Sequence, residues 1–302
     1  MGIDSLIALA EKEKIKYTEN EAMAVHTSFK IGGEAELLLC PETTEQLKLL
    51  LNCVTAENIP CFILGKGTNL IVSDKGIEGA VISTACLDGI YLEGEDRIYA
   101  EAGISLATLC TFARDNGLTG LEFAYGIPGS VGGALYMNAG AYGGDMSQVV
   151  LSAESISSNG EIQKRTVNQL ELGYRNSIFK NNGEIITGVT FKLAKGKREE
   201  ISAAMDTIIN KRKTSQPLEF PSAGSTFKRP EGYFAAALIE ECGLKGLSVG
   251  GAMVSEKHAG FVINAGKATC NDVLSLMDKI KSTVMDKKGV QLQPEIIFVG
   301  KK

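Results

Sequence analysis

The sequence predicts an α+β fold, and three observations carry that reading. Helical and strand-like hydrophobic spacings follow one another without a steady βαβ alternation, which argues against a doubly wound parallel sheet. Apolar residues fill 44% of the 302 positions, enough to bury a core, so a disordered chain is excluded. Glycine contributes 34 residues, well above ordinary usage of about 7%, yet there is no G-X-Y period and proline is scarce, which excludes collagen. The length fits two domains or one large one, and no internal repeat of fixed period is present.

Residues 4–16 read as a helix, with Asp4 or Ser5 as N-cap and Leu6, Ile7, Leu9 and Ala10 apolar. Residues 35–39 read as a strand ended by Pro41. Residues 44–57 form the clearest helix: Thr43-x-x-Gln46 resembles a capping box, and Leu47, Leu50, Leu51 and Val54 recur at i, i+3, i+4, i+7. Residues 61–64 read as a buried strand, with two more at 71–72 and 80–82. A strand-like stretch at 98–102 is followed by a helix capped by Ser105 and closed at Asn116-Gly117. Short strands follow at 149–157, 161–167 and 184–194. The polar run 195–198 marks a boundary. Beyond it a helix over 199–213 turns Ile201, Met205, Ile208 and Ile209 inward. Asn271 caps a last helix with Val273, Met277, Ile280 and Val284 on one face, closed by Lys287, Lys288 and Gly289. A strand at 295–299 follows Pro294. The layout divides the chain into residues 1–197, with halves of about 1–85 and 86–197, and residues 198–302, whose last strand is a candidate to return to the first part.

A net charge of −5 argues against nucleic acid or an anionic membrane as the main partner, while leaving room for a local basic pocket for phosphate. No apolar run approaches the roughly 18 residues of a membrane span. The N-terminal segment carries acidic residues and no basic n-region, unlike a signal peptide, so a cytoplasmic location is the default expectation. The 7 cysteines include no C-x-x-C and read as buried reduced thiols. His26 and His258 form no zinc-like cluster with cysteine or carboxylate, so no metal is expected.

Glycine concentrates in two places. Gly65-Lys66-Gly67-Thr68-Asn69-Leu70 directly follows a strand. It is not a Walker A loop, whose first glycine would fall at Pro60, nor a Rossmann fingerprint, whose third glycine would fall at Leu70. It is either a tight turn or a nest of N–H groups for a phosphate. The second cluster runs from Gly126-Ile127-Pro128-Gly129-Ser130-Val131-Gly132-Gly133 into Asn138-Ala139-Gly140 and Gly143-Gly144. Such density fits a backbone pressed against a flat or polyanionic cofactor, because no Cβ intrudes and several N–H groups can face oxygens; close packing of a compact loop is the alternative. With no Mg²⁺-ligating motif beside these loops, a dinucleotide such as FAD fits better than ATP.

These two clusters together resemble the flavin-binding domain of vanillyl-alcohol-oxidase-type flavoproteins. Four further stretches narrow the resemblance: 26–33 (HTSFKIGG), 173–180 (GYRNSIFK), 223–230 (AGSTFKRP) and Pro294-Glu295-Ile296. With them, nearly the whole chain resembles the UDP-N-acetylenolpyruvoylglucosamine reductase family. The resemblance implies a two-subdomain FAD-binding domain and a C-terminal α+β substrate-binding domain. It implies that NADPH reduces FAD, and that hydride then passes from flavin N5 to the methylene carbon of the enolpyruvyl ether of UDP-N-acetylglucosamine, yielding UDP-N-acetylmuramate for peptidoglycan. FAD would be held by Gly65, Lys66, Gly67, Thr68, Asn69, Leu70, Pro128, Gly129, Ser130, Gly133, Asn138 and Gly140, without a covalent tether. Neither histidine lies in these loops, and residues 117–144 hold no cysteine.

By the same resemblance, Arg175 and Glu295 would flank the substrate carboxylate and Ser225 would protonate the neighbouring carbon. Taken singly, Arg175 reads as a surface arginine, Ser225 as a turn serine and Glu295 as an edge-strand carboxylate; the motifs occurring together reverse that. Substrate contacts are expected from Tyr174, Arg212, Lys228, Arg229 and His258, although Arg212 also reads as a plain helix-end cation and His258 as a solvated side chain. Only 50 positions separate Arg175 from Ser225, so the chain resembles the shorter subtype, without the tyrosine-bearing insertion that covers substrate. No obligate protein partner is evident.

Overall fold

Hydroxyl side chains start the helices that the sequence marks most clearly. Thr43 accepts from the Gln46 N–H (3.1 Å) at the head of Thr44–Ala56, and Ser105 accepts from the Thr108 N–H (3.0 Å) at the head of Leu106–Asp115. The long helix Cys270–Lys288 begins on Thr269 rather than Asn271. Thr269 and Asp272 form a reciprocal capping box that satisfies two N–H groups, and Asn271 already lies inside the first turn. The first helix, Ile3–Glu13, has Gly2 at its cap and no capping side chain; Asp4 sits in the first turn, where a negative charge suits the helix dipole. It stops at Lys14, whose left-handed backbone (φ 56°) turns the chain into a strand, Lys16–Ala22.

The computed structural model describes residues 2–157 and 159–301. They form two compact units: one holds the chain up to Thr18, Leu37–Lys66 and Gly79–Lys211, the other Glu19–Glu36, Gly67–Glu78 and the chain from Arg212 on.

The first unit is built on a five-stranded antiparallel sheet in the order Ile162–Thr166, Val150–Ile156, Ile185–Lys192, Arg97–Glu101, Ile90–Leu92. Its centre pairs Ala153 with Val189 and Val189 with Ala100, all fully buried. The helices Leu106–Asp115 and Val131–Tyr136 add Leu106, Leu109, Val131 and Leu135 to the same core. Each large aliphatic side chain so buried contributes about 1.5–3 kcal/mol. A second core joins Leu6 of the first helix and Leu47 and Leu50 of Thr44–Ala56 to Leu37, Leu39, Ala80 and Ile82. Here Cys61–Leu64 pairs in parallel with 80–83.

At one end of this layer Cys40 and Cys86 form a disulfide, with Cα atoms 6.1 Å apart. This corrects the expectation of reduced thiols throughout: Glu34–Cys40 and Ile77–Ser83 are sheet neighbours, so their ends bring the two sulfurs together. Cys110, Cys242 and Cys270 are free and buried, and burial pushes the Cys110 thiol up to about 12.

The core of the second unit gathers around Cys270–Lys288. Val273, Leu276, Met277, Ile280 and Val284 face Ala252, Val254 and Val262 of a three-stranded antiparallel sheet and Leu238 and Ile239 of a short helix, Ala235–Glu241. The Asp74 carboxylate accepts from the N–H groups of Cys270 (2.8 Å) and Asn271 (3.0 Å), fixing Gly67–Glu78 to that helix end. The last strand, Ile297–Val299, pairs in parallel with Leu70–Val72. Among the described residues no helix is long and apolar enough to cross a membrane.

Candidate active site

In the first unit the two glycine clusters meet. The strand Cys61–Leu64 delivers Gly65, where a Cβ would stand 2.8 Å from Ser130 Oγ. Ser130 is buried and caps Val131–Tyr136, its Oγ accepting from the Gly133 N–H (3.3 Å). Residues 129–132 are held from behind: Leu106 N–H donates to the Gly129 carbonyl, Val131 N–H to Ile104 and Gly132 N–H to Ala102. Pro128, Gly133 and Lys66 face outward. The result is a cradle with almost no side chains, which fits a diphosphate such as that of FAD.

Three glycines of the region are also demanded by the chain's own packing. A Cβ on Gly132 would press on Ala102 (2.9 Å), one on Gly140 on Asp145 across a tight hairpin (2.7 Å), and one on Gly144 on the Phe123 ring (2.6 Å). Close packing of the chain itself accounts for these three. Gly67, Thr68, Asn69 and Leu70 belong to the second unit. Gly67 has φ 60°, its carbonyl accepts from the Ser28 N–H (3.1 Å), and a Cβ there would strike the His26 carbonyl. It is the turn that demands a glycine at 67.

Arg175 sits at the tip of a two-residue turn, closed by Gly173 N–H to the Asn176 carbonyl (3.2 Å) and Asn176 N–H to the Gly173 carbonyl (3.1 Å). Its φ is 52°, a left-handed conformation that costs a non-glycine residue about 1–3 kcal/mol. The guanidinium lies 5.4 Å from the ring centre of exposed Tyr174. Asn138, buried, donates from Nδ2 to the Gly173 carbonyl (3.0 Å), while its Oδ1 accepts from the Ser147 N–H (3.0 Å). Lys180 Nζ donates to the Arg175 carbonyl (2.7 Å).

The second unit holds Ser225 and Glu295 on adjoining segments. Thr226, buried, donates its N–H to the Gly260 carbonyl (2.9 Å), accepts from the Val262 N–H at Oγ1 (2.9 Å), and accepts at its carbonyl from the Glu295 N–H (2.9 Å). Lys228 N–H donates to the Gln293 carbonyl (2.8 Å), so 226–228 runs antiparallel to 293–295. Ser225 is exposed at the head of this ladder and Glu295 is half-buried. Asn69 braces the other side, donating from Nδ2 to the Glu295 carbonyl (3.2 Å) and accepting at its own carbonyl from the Ile297 N–H (3.0 Å).

Lys228 and Arg229 line a cleft of about 360 Å³ with Glu231, Tyr233 and Gln293, and the Arg229 guanidinium stacks 4.0 Å over the Phe234 ring. Two cations against the one carboxylate of Glu231 leave the cleft lining net positive, which suits a phosphorylated ligand. Arg212 is buried at the end of Arg198–Ser215, whereas Lys213 is exposed. His258 Nδ1 accepts from the Gly260 N–H (3.1 Å), its ring meets Phe261 edge-on, and burial lowers its pKa. Burial thus favours the neutral ring, which shapes the turn whose Gly260 carbonyl receives the Thr226 N–H. Sequence reasoning did not find the bracing by Thr226, nor that by the side chains of Asn69 and Asn138. A signal existed for Asn138: asparagine tolerates positive φ, here 42°.

Residues 35–166 match a family model described as FAD binding domain, and residues 216–299 match one described as UDP-N-acetylenolpyruvoylglucosamine reductase, C-terminal domain. The UDP-N-acetylenolpyruvoylglucosamine reductase of Clostridium novyi is 50% identical over 98% of this chain and 96% of that protein. The one of Clostridium tetani is 48% identical over 99% of this chain and 96% of its own length. The crystal structure of UDP-N-acetylenolpyruvylglucosamine reductase from Thermus caldophilus matches with a TM-score of 0.81 at 35% identity, covering 94% of this chain and 98% of that one. Half of its residues are shared with a relative along almost the entire length, and both domain models fall in order on the two halves. This chain therefore belongs to the UDP-N-acetylenolpyruvoylglucosamine reductase family of FAD-dependent oxidoreductases.

Proposed function

We propose that the protein reduces the enolpyruvyl ether of UDP-N-acetylglucosamine to UDP-N-acetylmuramate, with NADPH as hydride donor, Ser225 as proton donor, and Arg175 and Glu295 acting on the substrate carboxylate. The observation that supports this reading is the ladder that pairs Thr226, the residue after Ser225, with Glu295. FAD, when bound, supplies the two-electron carrier between NADPH and the methylene carbon of the substrate.

The chain must make an electron-rich enol ether accept hydride. That is feasible only if the charge arriving on the adjacent carboxylate is stabilised as an enolate dianion. Arg175 supplies a permanent positive charge in a fork geometry. Glu295 helps only as a hydrogen-bond donor, hence protonated, a state that a neighbouring substrate carboxylate favours by repulsion. Ser225 then gives its proton to the α-carbon. A hydroxyl is a weak acid, but the enolate is a strong base, and the rigid ladder fixes the face of delivery.

The test is Ser225→Ala in anaerobic stopped flow. Flavin reduction by NADPH should stay within about twofold of wild type. Reoxidation by the enolpyruvyl nucleotide should fall by about 10²–10⁴, the usual worth of a positioned general acid. An equal fall in both half-reactions would remove Ser225 from the proton-donor role.

A further inference from the structure

We propose that Lys180 and Asn138 are positioning residues that hold Arg175 in its working conformation, an inference that rests on the reading of Arg175 as the carboxylate-binding residue. Arginine has no intrinsic preference for φ 52°, so the surroundings must impose it. The two bonds that close the turn engage the N–H of the peptide that follows Arg175 but not its carbonyl.

Lys180 and Asn138 act on the two peptides that matter. The Asn138 amide holds the Gly173 carbonyl (3.0 Å), fixing the peptide that enters Tyr174. Lys180 Nζ holds the Arg175 carbonyl (2.7 Å), the second polar group of the peptide that leaves Arg175, and so opposes a change in its ψ. Both holders are themselves held. Asn138 is buried, with Oδ1 engaged by the Ser147 N–H, and Lys180 Nζ lies 5.5 Å over the ring of Tyr136, whose carbonyl accepts from Ser177 Oγ (2.8 Å). Tyr136 ends the short helix that starts at Ser130, in the glycine cradle. The brace thus ties the orientation of Arg175 to the loop that fits FAD. The Asn138 side chain serves that brace.

Loss of one hold lets the turn relax, and the apparent substrate affinity falls with the fraction of molecules still in the competent conformation. Lys180→Met should raise the KM for the enolpyruvyl nucleotide about tenfold and slow flavin reoxidation about tenfold, with FAD content and melting temperature unchanged. Lys180→Arg, which keeps a donor for the same carbonyl, should recover most of the loss. In an Arg175→Ala background, Lys180→Met should cost nothing more, because its effect passes through Arg175. Asn138→Ala should raise the same KM while the Kd for FAD stays within about threefold.

Lys180→Met at wild-type KM beside an impaired Arg175→Ala overturns the positioning role and leaves the reading of Arg175 standing. The same fold-loss from Lys180→Met with and without Arg175 also overturns it. Arg175→Ala with wild-type reoxidation overturns the reading and this inference together. Loss of FAD binding at unchanged KM in Asn138→Ala overturns the part assigned to Asn138.

Discussion

One methyl group at Gly65 tests whether the two glycine clusters grip FAD together. Gly65 does not use the left-handed region, so Gly65→Ala brings no backbone strain and the whole effect lies in contact. The new Cβ would stand 2.8 Å from Ser130 Oγ, about 0.6 Å inside ordinary van der Waals contact. Ser130 is 1% exposed and has no free space to retreat into. Either its hydroxyl swings off the Gly133 N–H, losing a helix cap worth about 1 kcal/mol, or the two loops part, an overpacking cost of about 1–3 kcal/mol. The apoprotein should lose a few degrees of melting temperature. If the loops hold the diphosphate, parting them by half an ångström weakens one or two hydrogen bonds to a charged group, at about 1.5–3 kcal/mol each. The Kd for FAD should then rise roughly 10–100-fold. Titration of FAD into apoprotein, followed by quenching of flavin fluorescence, measures this directly. Wild-type FAD affinity in Gly65→Ala would refute the shared cradle.

Three further outcomes are expected. Arg229→Ala removes a cation from the cleft and its stacking on Phe234, so the nucleotide KM should rise about tenfold with kcat within about threefold; steady-state kinetics showing a large fall in kcat at constant KM would reject that role. Asp74→Ala strips two charge-assisted bonds from the head of Cys270–Lys288 and should cost about 2 kcal/mol in a urea melt, with an unchanged midpoint as the contrary result. The Arg165 guanidinium, helped by the Ser155 hydroxyl, holds the buried Glu184 carboxyl below its ordinary value, so this group adds stability above the unfolded-state pKa of about 4.3 and loses it as pH falls through the lower folded value. Glu184→Gln should therefore melt earlier than wild type at pH 7, with the two curves converging in acid; a gap that persists undiminished below the folded value would contradict the assignment.

Much of the fold was legible because its signals are local. The Thr43 and Ser105 caps need only a hydroxyl three residues ahead of an amide, and the strands at 150–156, 162–166 and 185–192 lie within two residues of their expected ends. Elements without such signals were not read. Lys16–Ala22 is mostly exposed and shows no apolar alternation, and Ala235–Glu241 starts at Phe234 with no capping side chain. The Cys40–Cys86 bridge depends on which strands lie side by side, and no spacing of cysteines along the chain encodes that. The site divides the same way. The motifs point to Arg175, Ser225 and Glu295, but the bonds that hold them join residues 35, 69 and 226 positions apart.

The two asparagines show why a motif can name a residue and still leave its task open. Asn69 and Asn138 each stand in a glycine cluster, and each reads as one more contact for the cofactor. Each gives its side-chain amide to the backbone of a segment that carries a proposed catalytic residue: Asn69 to the Glu295 carbonyl in one unit, Asn138 to the Gly173 carbonyl beside Arg175 in the other. The division of labour follows from the loops' composition. Where a cradle is nearly bare of side chains, an amide that can donate and accept at once is free to reach backward into the protein. A loop built this way would do two things with one geometry: shape a surface for FAD, and brace the segments that carry the proposed catalytic residues.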